Sequence, residues 1–74
     1  MEGQLEKKIV ESFGKLSQGK GGWSTELNLV SWGGRDAKYD LRSWSEDHEK
    51  MSKGITLTKD EIKVLRELLN KMEL

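Results

Sequence analysis

The 74-residue chain has no cysteine and a single histidine. Disulfides and a Cys/His zinc site, the usual staples of so short a domain, are therefore missing. It also lacks a long apolar run or a signal-like opening segment, so no membrane span is expected and a cytoplasmic protein is the default. An excess of charge is absent too, with 13 basic residues against 13 acidic ones. No stretch holds a basic block, which excludes a generic basic nucleic-acid binder and leaves any phosphate-binding patch to be assembled by folding. The length allows one domain, residues 1–74, and a chain of this size buries only about 60% of the surface its unfolded form exposes. With a thin core and no staple, oligomerisation remains as a source of stability.

Catalytic company is missing as well. His48 stands in a charged loop between Asp47 and Glu49, where a solvated side chain is expected. A nucleophile needs a base within reach and that base an orienting group, and no such set converges on His48. Asp47, His48 and Glu49 are adjacent rather than at ligand spacing, so no enzyme activity, metal site or cofactor is expected.

What is present is a pair of short alternating segments joined at glycines within Glu26–Leu57. Read at period two, one face of Glu26–Trp32 and Lys38–Trp44 collects Leu27, Leu29, Tyr39 and Leu41, and reads as core. The other collects Asn28, Val30, Trp32, Lys38, Asp40, Arg42 and Trp44. A solvated face that joins cations to tryptophans suits single-stranded nucleic acid, whose bases stack on rings while cations hold the phosphates. Gly33-Gly34 supplies the positive φ angles of a tight turn, so the second strand returns antiparallel. Ser45–Ser52 is polar and aperiodic and reads as a loop, with a short strand over Lys53–Leu57.

Two flanking regions complete the pattern. In the first 22 residues Leu5, Ile9, Phe13 and Leu16 share a helical spacing, while Ile9, Val10 and Phe13 favour a strand, and the residues leave the choice open. Ser17–Gly22 is a breaker cluster that reads as a flexible loop; it lacks the Lys-Ser/Thr pair of a nucleotide-binding loop. Thr58 with Glu61 forms a capping box, and Leu57 with Ile62 a hydrophobic staple. Ile62, Leu65, Leu68, Leu69 and Met72 then make the stripe of an amphipathic helix, with Val64 and Leu74 left off it as mild support for a helix-mediated dimer.

The pieces LNLVSWGGRDAKYDLRSW, KMSKGITL and TLTKDEI, in that order, resemble the Positive Cofactor Four family of transcriptional coactivators, in particular its small bacterial YdbC-like branch. The resemblance implies an α+β fold, a four-stranded antiparallel sheet followed by one C-terminal helix (ββββα), working as a homodimer on single-stranded or melted DNA. It also turns the undecided Ile9–Leu16 segment into the first strand. By the resemblance Trp32, Arg42 and Lys53 are DNA contacts; strand parity adds Asn28, Lys38 and Trp44, and the polar loop adds Lys50. Val30 and Gly33 replace basic residues of the eukaryotic members, which implies fewer phosphate contacts. The serine- and lysine-rich regulatory tail has no counterpart in these 74 residues, so activation through transcription-factor contacts is not implied.

The function expected is largely sequence-independent binding of single-stranded DNA, in transcription, replication or repair. Single-stranded RNA binding is the alternative from the same residues, and a protein-interaction module with exposed tryptophans is the alternative from another class.

Overall fold

A computed structural model describes residues 6–74. Four strands, β1 (Lys7–Gln18), β2 (Ser24–Trp32), β3 (Lys38–Trp44) and β4 (Ile55–Leu57), form one antiparallel sheet in the order β1-β2-β3-β4, followed by the helix α1 (Lys59–Lys71). This is the expected ββββα arrangement. Leu5, one member of the helical spacing noted above, lies outside the described residues.

The turn between β2 and β3 is set by its glycines. Gly33 and Gly34 both have positive φ, 59° and 75°, and the Arg35 N–H donates to the Trp32 carbonyl at 3.0 Å. Two left-handed residues in succession match the twist of the strands they join. The register then pairs Leu29 with Tyr39, Leu27 with Leu41 and Asn28 with Asp40, as the parity reading requires. At the other end of the fold the Glu61 N–H donates to Thr58 Oγ1 at 3.1 Å and the Thr58 N–H to Glu61 Oε1 at 2.8 Å, so the capping box forms and α1 starts after Thr58.

β1 resolves the ambiguity of the first segment. Its register with β2 steps at three places, between Ile9 and Glu11, Ser12 and Gly14, and Lys15 and Ser17, leaving Val10, Phe13 and Leu16 as extra residues. A bulge sets two residues against one on the partner strand. Bulges every third residue therefore give a strand the apolar spacing of a helix turn. Phe13 reaches the helix side of the sheet, where its ring stacks on Tyr39 with centroids 5.8 Å apart.

The distribution of burial corrects the expected core. Leu27, Leu29, Tyr39 and Leu41 are only half-buried, and α1 contains no fully buried residue. Val64, Leu68, Leu69 and Met72 are each 46–56% exposed, so even the main stripe of the helix is incompletely covered. Val10, Phe13, Leu16 and Ile55 are exposed as well. The fully buried large side chains, Trp44, Val30, Asn28 and Asp40, belong to the face expected to be solvated.

Candidate nucleic-acid interface

The polar face is closed by its own hydrogen bonds and by the segment Ser45–Gly54. Trp44 pairs with Met51 across this segment, and the Ser52 N–H donates to the Ser43 carbonyl at 2.9 Å. Gly54 packs so closely on the Leu41 carbonyl and on Arg42 that a Cβ there would collide with both. A short strand edge and a polar loop thus shelter side chains that alternation alone assigns to solvent.

Two clusters lie beneath. In the first, Arg42 donates from Nε to Asp40 Oδ2 at 2.7 Å and pairs from Nη2 with Asp40 Oδ1 at 2.6 Å. Thr56 Oγ1 donates to the same Oδ1 at 3.4 Å. The guanidinium lies 4.8 Å from the centroid of the Trp32 ring, a cation–π distance, and Nη1 faces the Met51 sulfur at 3.6 Å. Arg42 is thereby oriented by a buried carboxylate and an indole, with Nη1 committed only to a weak acceptor.

The second cluster centres on Glu26. Its carboxylate accepts from Ser24 Oγ at 2.6 Å and Asn28 Nδ2 at 3.1 Å, and both oxygens lie 3.0 Å from His48 Nε2. Burial raises a carboxyl pKa, but the bonds from Ser24, Asn28 and His48 and the charge of His48 hold Glu26 below its ordinary value. The His48 ring also sits over Trp44, with centroids 5.6 Å apart. Within the exposed loop, Asp47 Oδ1 accepts from the Glu49 N–H at 2.9 Å and from Ser45 Oγ at 2.7 Å, and these bonds lower the Asp47 pKa.

Several expectations change accordingly. Trp44 is wholly buried and presents no ring to a base. Asn28 is sealed in, with Oδ1 lacking a hydrogen-bond partner, and its contribution is to Glu26 rather than to a ligand. His48 is only partly solvated, its side chain 39% exposed, because the turn carries its ring down onto the sheet. The remaining five keep accessible positions: Trp32 and Arg42 are partly exposed, and Lys38, Lys50 and Lys53 are exposed. Lys38 lies diagonally from Trp32 across the β2–β3 register. Lys53 immediately precedes the glycine that packs on Arg42. Lys50 lies beyond the opposite end of β3, whose six residue steps from Lys38 to Trp44 span about 20 Å.

The geometry adds two cations that sequence reading missed. Lys7 registers with Trp32 and Lys15 with Glu26, which places both on the polar face, and both are exposed. Their side of the strand depends on the three bulges, so no regular period identifies them. Glu26, Asp40 and Met51, which orient the others, were also unread as site residues. Among the described residues no cluster of three or more His, Asp or Glu side chains is placed to hold a metal ion.

The sequence profile of a family described as transcriptional coactivator p15 (PC4) matches residues 19–68. An uncharacterized protein from Treponema pallidum (strain Nichols) is 53% identical over 66 residues, covering 89% of this chain and 78% of that protein.

Proposed function

The chain belongs to the transcriptional coactivator p15 (PC4) family, and from that membership and the polar sheet face we propose that it is a homodimeric, largely sequence-independent binder of single-stranded or melted DNA. The bacterial relative supports placing it in the small bacterial branch. Binding rather than catalysis is its task, at sites where transcription, replication or repair opens the duplex.

The observation that carries this reading is the Arg42–Trp32 stack, oriented by Asp40 and flanked by exposed Lys38 and Lys53. A partly exposed planar cation–indole unit offers a surface on which a base stacks, at about 1 to 3 kcal/mol per base. Lys7, Lys15, Lys38 and Lys53 lie on the same face, Lys50 lies beyond the far end of β3, and together they supply phosphate contacts with release of counterions. The assembled face thus provides what the neutral composition does not.

Dimerisation follows from the opposite face. Val30 and Trp44 are the buried hydrophobic residues of the described chain, whereas apolar side chains of β1, β4 and α1 stand in water. A second copy laid on that face supplies the missing core, because burying such surface is worth about 25 cal/mol per Å².

A titration of fluorescently labelled oligo-dT, oligo-U and duplex DNA at two salt concentrations tests the binding, with sedimentation at micromolar protein for the dimer. Tight, salt-sensitive binding of oligo-dT over duplex is expected. Equal binding of duplex and single strand, or salt-insensitive binding, overturns the proposal, and a stable folded monomer overturns its dimeric part.

A further inference from the structure

The contact between His48 and Glu26 lies apart from the Arg42–Trp32 stack, and several bonds hold it in place. Among the described residues His48 is the non-glycine residue with positive φ, 60°, a conformation sparsely populated by L-residues and retained where surrounding contacts fix it. Its N–H donates to the Ser45 carbonyl at 2.9 Å. The same turn is closed by Ser45 N–H to the Lys50 carbonyl at 2.9 Å and by Lys50 N–H to Ser45 Oγ at 3.0 Å. Ser45–Lys50 is therefore an internally bonded unit, with His48 as its reach to the sheet. At its far side Met51 meets Arg42, and Lys50 and Lys53 are carried on the segment that the unit anchors.

We propose that His48 is a protonation-sensitive positioning residue that fastens the Ser45–Gly54 segment onto β2, so that affinity for single-stranded nucleic acid rises as its imidazole becomes charged. This rests on the binding function proposed above. The acceptor it meets is a carboxylate 2% exposed, whose other donors, Ser24 and Asn28, are neutral. A charged imidazole converts an ordinary hydrogen bond into a charge-assisted one of roughly twice the strength. Loss of that charge leaves the same atoms in contact with a weaker hold, and the segment then departs more often from the position that sets Lys50, Met51 and Lys53 around Arg42.

The neighbouring charges do not provide the same switch. Lys15 lies opposite Glu26 on β1, and Arg42 opposite it on β3 but paired with Asp40. The loop itself contributes Glu46, Asp47, Glu49 and Lys50. Carboxylates, lysine and arginine keep their charge between pH 5.5 and 8 in the ordinary case, whereas histidine changes its own there, and His48 is the one histidine of the chain.

The test compares wild type with His48→Gln, whose amide can still donate to Glu26 but does not titrate. Oligo-dT affinity is measured from pH 5.5 to 8 at constant ionic strength, and the backbone amides of Lys50 and Met51 are followed by NMR in the free protein. Wild type is expected to bind more tightly at pH 5.5 than at pH 8, by at most about fivefold, the full difference between a charged and a neutral hydrogen bond, with His48→Gln nearly flat. The Lys50 and Met51 amides should shift together with the His48 ring protons. Matching pH profiles for the two proteins overturn the latch and leave the binding function standing. If wild type binds no oligo-dT at any pH, the binding function fails instead, and the latch is then decided by the amides, which follow the ring titration or refute it.

Discussion

Asp40 and Arg42 face the same side of β3 and grip each other through two contacts, with the carboxylate fully buried and the guanidinium side chain 13% exposed. Such a pair is weak evidence of net stabilisation, but removal of one partner strands the other. Asp40→Ala and Arg42→Ala are each expected to destabilise the fold by about 3 to 5 kcal/mol, read as a fall in the urea midpoint. Arg42→Lys keeps the charge and loses the two-point grip, so it should fall between wild type and alanine. Unchanged midpoints in both alanine variants would show that the pair is open to water.

The two tryptophans of the polar face separate in the same way. Trp44 lies in the core under His48, so Trp44→Ala should cost about 3 to 5 kcal/mol of stability, while the protein that remains folded still binds. Trp32→Ala removes the platform under Arg42 and should weaken oligo-dT binding by about 1 to 3 kcal/mol. Denaturation and binding measured on the same preparations distinguish them. Equal binding losses per folded molecule would contradict the assignment of Trp44 to the core.

This difference marks where the sequence stops being legible. The hairpin turn and the helix start were readable because each is decided within four residues, by Gly33 and Gly34 in one case and by Thr58 and Glu61 in the other. The β2–β3 faces were readable as parity. Which face is covered was not, because cover on the polar side comes from Met51, Gly54 and His48, distant in sequence from Glu26 and Asn28. A row containing Glu26, Asn28, Asp40 and Arg42 looks solvated until their mutual hydrogen bonds are known. β1 was ambiguous for a local reason, since bulges at every third residue replace the period of two.

Gly54 tests the cover directly. Its backbone lies against the Leu41 carbonyl and Arg42, so Gly54→Ala forces β4 away from β3 and should cost about 1 to 3 kcal/mol, in the range of overpacking changes. Hydrogen exchange should rise at the Ile55–Leu57 amides before the rest of the sheet. Unaltered protection there would mean that the approach is looser than the structure shows.

At the helix start, Thr58→Ala removes the acceptor for the Glu61 N–H and should lower stability by about 0.5 to 2 kcal/mol. DNA affinity per folded molecule should not change, since Thr58 lies off the polar face. A denaturation midpoint equal to wild type would place the first turn of α1 elsewhere.

Glu26 provides a pH dependence whose sign can be worked out. Its folded-state pKa lies below the ordinary 4.5, so near that pH the unfolded chain binds more protons than the native one, and stability rises with pH. The contribution is complete above the unfolded value and is lost as pH falls through the depressed folded value. Glu26→Gln presents an amide to the donors of Ser24, Asn28 and His48 and should be less stable than wild type at pH 6, by about 1 to 3 kcal/mol for a buried network left partly unsatisfied. As pH falls from 5 to 3, below the range in which the proposed His48 latch acts, the gap should narrow, because only wild type gains a proton at this site. Asp47 is depressed too but is present in both proteins, so subtraction removes it, and an Asp47→Asn background checks that step. A gap that stays constant from pH 5 to 3 would mean that Glu26 is not the carboxylate that Ser24, Asn28 and His48 hold ionised.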